Sequence, residues 1–369
     1  MTKNKRLESI DLLKGVAILL VILCHSRQLF PNLSHTFDIF MFGQMACQLF
    51  FVIAGYTSCV SYFNHKKQKF FLKRLLSILP AYYLTGILAI SLGILSIHLI
   101  GRNIGPGGNT NPIAILSNLF FLNGLIPIGN NNVVAGGWFI GTLMIFYLLF
   151  PLFIKLFNII KKNRIYIPFV ASIIQILTIL LIYFIFNQDP AIIQNNGFVY
   201  FNAINQLSCY LFGILAYYEL NNHDKKMNPL VDLIKCFAFT LLGIGLFYGN
   251  FKFAFVIITN IIGLASYYAL KTFVNYEKIS EIKNTKAKRF LCSFGEKSLY
   301  LFLSHPFFVY TLNVIIIKIW QTKFYCIDVN VVYLLSLPIV LICSFFSAKL
   351  IEAVCSPISK KMVKYTERS

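Results

Sequence analysis

Apolar residues fall along this chain in runs of about twenty, separated by short polar or Gly/Asn-rich stretches. Twenty residues of α-helix, at about 1.5 Å each, match the ~30 Å hydrocarbon core of a bilayer. Ten such runs occur: 10–30, 38–62, 77–100, 137–158, 165–186, 198–220, 230–249, 253–274, 296–318 and 329–352. A further run, 113–127, is short and carries Asn118, Asn123 and Pro127, which predicts a re-entrant or interfacial segment. The expected fold is all-α: a polytopic membrane bundle of about ten transmembrane helices, forming one domain over 1–369 without internal repeats. Gly137 and Gly141 form a GxxxG pair, read as helix packing.

Composition supports lipid as the solvent. Hydrophobic residues make up 57% of the chain and charged residues 12%, against roughly 25% charged in soluble domains. Too few polar residues remain to cover a water-soluble fold, which excludes soluble, secreted, disordered and coiled-coil classes. The 33 basic residues against 13 acidic ones would point to nucleic acid in a soluble protein. Here the positive-inside rule accounts for them, and no nucleic-acid partner is expected. With the N-terminus inside and 113–127 not spanning, the inside segments hold 25 basic residues. The outside ones hold Arg27, Arg102, Lys252 and Lys323. Both termini are therefore expected in the cytoplasm. Counting 113–127 as a span would put Lys161, Lys162, Arg164 and the basic stretch 271–290 outside. The nine cysteines show no CxxC or Cys/His zinc spacing, so neither disulfides nor a metal is expected. Asp11 and Lys14 interrupt the first run, and Cys24-His25-Ser26-Arg27 is no cleavage site, so that run is expected to remain as a helix.

Ionisable side chains within spans are costly and mark candidate sites. Lys14 and His25 are eleven residues apart, a net rotation of roughly 20° and an axial distance of about 16 Å on a helix. Both therefore share a face. Taken singly, Asp11 and Lys14 read as an interfacial i,i+3 ion pair, and His25 as a hydrated helix-end residue. Their combination on one face favours function. His305 precedes Pro306, which loosens the helix one turn back; a histidine tied to that backbone competes with a catalytic one. His35, His65, His98 and His223 receive no role. Lys66, Lys67, Lys69, Lys73 and Arg74 form a basic loop suited to lipid headgroups or to the phosphates of a cytosolic cofactor. Trp138, Phe146 and Tyr147 read as interface anchors or packing.

Several of these segments resemble the acyltransferase 3 family of bacterial integral-membrane acyltransferases, as a divergent member. The opening, Ile10-Asp-Leu-Leu-Lys14-Gly followed by an apolar run to His25, is similar to the family's first-helix signature. Phe50-Phe-Val-Ile-Ala-Gly55, Phe71-Leu-Lys-Arg74 through Pro80, Trp138 to Phe146-Tyr147 and Pro151, and Ser298 to His305 resemble its later motifs. Lys14 stands for the usual Arg, Ser77 for a second Arg, Ala54 for Ser and Leu143 for a Glu.

The resemblance implies ten spans and transfer of an acyl group, usually acetyl, from cytosolic acyl-CoA to a hydroxyl of a cell-envelope polysaccharide or glycolipid, in the cytoplasmic membrane. It implies His25 and His305 as catalytic candidates, and Lys14, Arg74 and Lys73 for the CoA donor. A sugar or lipid-linked-sugar exporter, and a non-catalytic partner in glycan synthesis, are the alternatives. Acyl chain, acceptor, oxyanion-stabilising group and oligomeric state are not legible.

Overall fold

The computed structural model describes residues 7–30, 32–64, 69–101, 103, 106–186, 197–222, 228–249, 251, 253–279 and 284–368. His65, Lys66, Lys67, Arg102, His223 and Lys252 lie outside the described residues. The described chain is helical, without a named strand: α1 (Glu8–Leu29), a 3-10 segment (His35–Met45), α2 (Ala46–Asn64), α3 (Phe70–Ile100), α4 (Pro112–Leu119), α5 (Gly137–Ile159), α6 (Tyr166–Phe186), α7 (Phe198–Phe201), α8 (Ala203–Leu220), α9 (Pro229–Tyr248), α10 (Ala254–Ile279), α11 (Lys286–Glu296), α12 (Ser298–Lys323) and α13 (Val329–Arg368). Ten helical stretches among the described residues are long and apolar enough to span a membrane, each overlapping one of the ten expected runs.

The chain divides into two compact units, interleaved in sequence. The first comprises Met1–Val16, Cys47–Phe70 and Thr142–Glu296. Within it α8 is mostly buried and α9 mostly exposed along its apolar face. Leu177, Leu181 and Phe184 on α6 are also exposed, as a lipid-facing surface requires. Buried amides join the helices here: Gln48 donates to Gln206 at 2.8 Å, and Gln175 to Asn205 at 2.7 Å. Such pairing is favoured because lipid offers a buried amide no partner.

The second unit comprises Ala17–Ala46, Phe71–Gly141 and Lys297–Ser369. The short run expected to be re-entrant or interfacial holds a two-turn helix, α4, only about 12 Å long. Asn111 caps it and Pro112 opens it. Phe121, at φ 58°, reverses the chain. Asn118 holds the return, donating to the carbonyls of Ala114 at 2.9 Å and Gly129 at 2.7 Å, and accepting from Tyr82 Oη at 2.8 Å. Gly137 and Gly141 face this loop: a Cβ on Gly141 would strike the Asn123 amide. The GxxxG pair thus accommodates a buried loop, a correction to the helix-packing reading.

Three expected boundaries move. α3 begins at Phe70, so Lys73 and Arg74 sit on its first turns instead of in a loop. The basic stretch 271–290 is largely the end of α10 and the start of α11. α13 continues for 40 residues, about 60 Å. Hydropathy marks where a helix leaves lipid, whereas the helix itself ends where its backbone pairing ends.

Candidate functional site

The first half of the α1 motif is fixed inside the first unit. The N–H groups of Glu8 and Ser9 donate to the Glu277 carboxylate at 2.9 Å each, satisfying two orphan donors of the helix start. Lys288 pairs with Glu8. A Cβ on Gly15 would strike the Leu291 carbonyl, and one on Gly295 the Asp11 carbonyl. The backbones of α1 and α11 touch there, which explains a glycine directly after Lys14. Asp11 is buried and Lys14 half-buried.

The second half of α1 belongs to the second unit. Gly43 lies against the Leu20 carbonyl, and Cys24 Sγ donates to the Met41 carbonyl at 3.5 Å. Arg27 donates to Asp38 at 2.6 Å and to the Phe30 carbonyl at 3.2 Å; His35 also meets Asp38, at 3.0 Å. These contacts with the 3-10 segment set the rotation of α1 and the direction of His25.

His25 and His305, 280 positions apart, stack with ring centroids 5.5 Å apart and planes 27° apart. Each has a defined tautomer. His305 Nδ1 lies 2.9 Å from the Leu301 carbonyl; a carbonyl only accepts, so Nδ1 carries the hydrogen. His25 Nδ1 lies 2.8 Å from Gln28 Oε1 and donates to it in the same way. Both Nε2 atoms therefore hold lone pairs. His305 is 1% exposed, and its Nε2 is buried without a partner among the described residues. His25 is half-buried.

α12 is anchored on both sides. Lys297 pairs with Glu352 at 2.5 Å, and Ser347 donates to Ser304 at 3.1 Å. Phe302 packs against Phe139, with centroids 4.9 Å apart, and lies 6.0 Å from the His305 ring. Pro306 frees the Phe302 carbonyl, and the His305 ring meets the neighbouring Leu301 carbonyl and that of Phe302. A backbone tie for His305 is therefore present, while the ring also stacks on His25.

The basic candidates divide. Arg74 is half-buried on α3, its own carbonyl accepting from Ser77 Oγ at 2.7 Å. Lys73 pairs with Glu367 of α13 at 2.7 Å, so its charge is already matched. Leu143 is buried on α5 at the position where the resemblance leads to an acid, and Ala54 is buried on α2.

Sequence reasoning missed two groups. One is Gln28, a neutral side chain that a search for charges passes over. The other is an ionic cluster in the first unit. Lys271 of α10 meets Glu219 of α8 at 2.9 Å and Asp232 of α9 at 3.4 Å, all three largely buried. Tyr267 donates to Glu219. Each lies near the end of an apolar run; Lys271 falls in the basic stretch 271–290 counted as inside charge, although the rule that flags His25 flags Lys271 as well. Trp138, Phe146 and Tyr147 are buried and serve as packing.

The model of one protein family, described as an acyltransferase domain, matches residues 7–349. No curated protein and no solved structure matches the chain.

Proposed function

Because this multi-pass membrane protein belongs to the acyltransferase 3 family, we propose that it is an O-acyltransferase. It would move an acyl group, acetyl in the first instance, from cytosolic acyl-CoA to a hydroxyl of an envelope polysaccharide or glycolipid at the bacterial cytoplasmic membrane, with both termini in the cytoplasm and 1–369 acting as one catalytic domain.

The observation that carries this reading is the His25–His305 pair. His25 is the half-buried member, with Nδ1 engaged and Nε2 left as the base. In the reaction, the acceptor oxygen bonds the thioester carbonyl carbon as its proton passes to His25 Nε2. The carbon–sulfur bond then breaks. The CoA sulfur leaves as a thiolate and takes up the proton held by His25, restoring the neutral base. His305, buried and stacked on His25, positions the ring. Lys14 and Arg74 are assigned to the donor, whose phosphates favour charge-assisted bonds. Lys73 contributes positive potential while paired with Glu367.

The test is transfer of label from acetyl-CoA to an envelope carbohydrate extract by the purified protein in proteoliposomes. Alkali-labile, ester-linked label that disappears in His25→Ala supports the reading. Absence of transfer by the wild-type protein from acetyl-CoA and from longer acyl-CoAs refutes it.

A further inference from the structure

A histidine base needs its second nitrogen held, since the proton on Nδ1 decides whether Nε2 is an acceptor. In Ser-His-Asp triads a carboxylate does this. Asp11, the acid on the same helix, lies about 21 Å along the axis from His25 and cannot. The group that meets His25 Nδ1 is Gln28, three residues on and at 2.8 Å, a spacing that puts both side chains on one helix face.

We propose that Gln28 is the positioning residue for the base: its Oε1 accepts the Nδ1–H of His25, locks the tautomer and turns Nε2 toward the acceptor hydroxyl. This rests on the reading of His25 as the base.

The surroundings leave Gln28 available for the task. Arg27, the neighbouring donor that would compete for Oε1, is spent on Asp38 and the Phe30 carbonyl. His35, from the 3-10 segment, is turned to Asp38 as well. The titratable group packed against the His25 ring is His305 of α12, whose own Nδ1 is tied to Leu301. Gln28 thus orients His25 without adding charge. A neutral orienter suits a base buried against a second imidazole, because a carboxylate there would retain the proton that the departing thiolate must recover.

The experiment compares rate–pH profiles in proteoliposomes, with labelled acetyl-CoA and envelope carbohydrate extract, normalised to folded protein. Gln28→Leu removes the acceptor at similar size; turnover should fall by about 10²-fold or more, the general-base contribution, with KM for acetyl-CoA unchanged. Gln28→Glu keeps an acceptor. It should recover much of that turnover at alkaline pH, with the acid limb of the profile moved up by roughly one pH unit, as an adjacent carboxylate favours the charged ring. Wild-type kcat in Gln28→Leu, or an unmoved acid limb in Gln28→Glu, overturns the proposal even when His25→Ala is inactive. Wild-type turnover in His25→Ala overturns the base assignment itself, and this proposal with it.

Discussion

Truncating each histidine of the stacked pair should produce opposite signatures. His25 is half-buried, and its removal leaves Gln28 half-buried too, within reach of water. The structural loss is the ring stack, worth about 0.5–1.5 kcal/mol. The kinetic loss is the general base, about 10²–10⁴-fold, or roughly 2.7–5.5 kcal/mol of barrier. His305 is buried at 1% exposure against Phe302 and His25. Deleting its ring leaves a cavity, and ring-to-alanine changes in cores cost about 3–5 kcal/mol. His25→Ala should therefore melt near wild type in detergent while losing nearly all acetyl transfer per folded molecule. His305→Ala should lose stability first and keep more turnover per folded molecule. Thermal unfolding monitored by size-exclusion, paired with label transfer in proteoliposomes, reads both axes. The reverse ranking would refute the reasoning and move the base to His305.

Lys14→Ala and Arg74→Ala should each weaken acetyl-CoA binding by about 10- to 150-fold, the loss of a charge-assisted bond, while Lys14→Arg keeps most of it; unchanged donor affinity in both alanine variants would place the donor elsewhere. Lys271→Met leaves Glu219 and Asp232 buried without their shared cation, which should cost about 3–5 kcal/mol in unfolding assays, and a change under about 1 kcal/mol would mean that the cluster is hydrated. Cysteine labelling from outside intact cells should reach a cysteine placed at Asn109 and miss one at Asn284; the opposite pattern would invert the topology and remove Lys14 from the cytosolic side.

The helices were readable because the length of an apolar run is a local quantity, fixed by bilayer thickness. The same arithmetic kept 113–127 out of the spans, and α4 with its buried asparagines bears this out. The family was likewise legible from the residues between Ile10 and His25 and from the later motifs, and the match over 7–349 agrees. Local pattern failed where charge lies at the end of a run. Lys271 reads as loop charge by composition, because composition cannot say whether Glu219 and Asp232 lie beside it. Composition likewise cannot say that Lys73 has Glu367 beside it.

What the sequence alone determined is the set of spans and the family, both consequences of local pattern along one run or one motif. Tertiary structure decided the chemistry around the histidine. The sequence names His25 and His305 separately, but their stack depends on how α1 and α12 pack. The roles of their nitrogens depend on which acceptor each Nδ1 meets, Gln28 for one and the Leu301 carbonyl for the other. Hydrogen bonds act over about 3 Å and in fixed directions, so only the packed helices determine which nitrogen of each ring is tied to an acceptor.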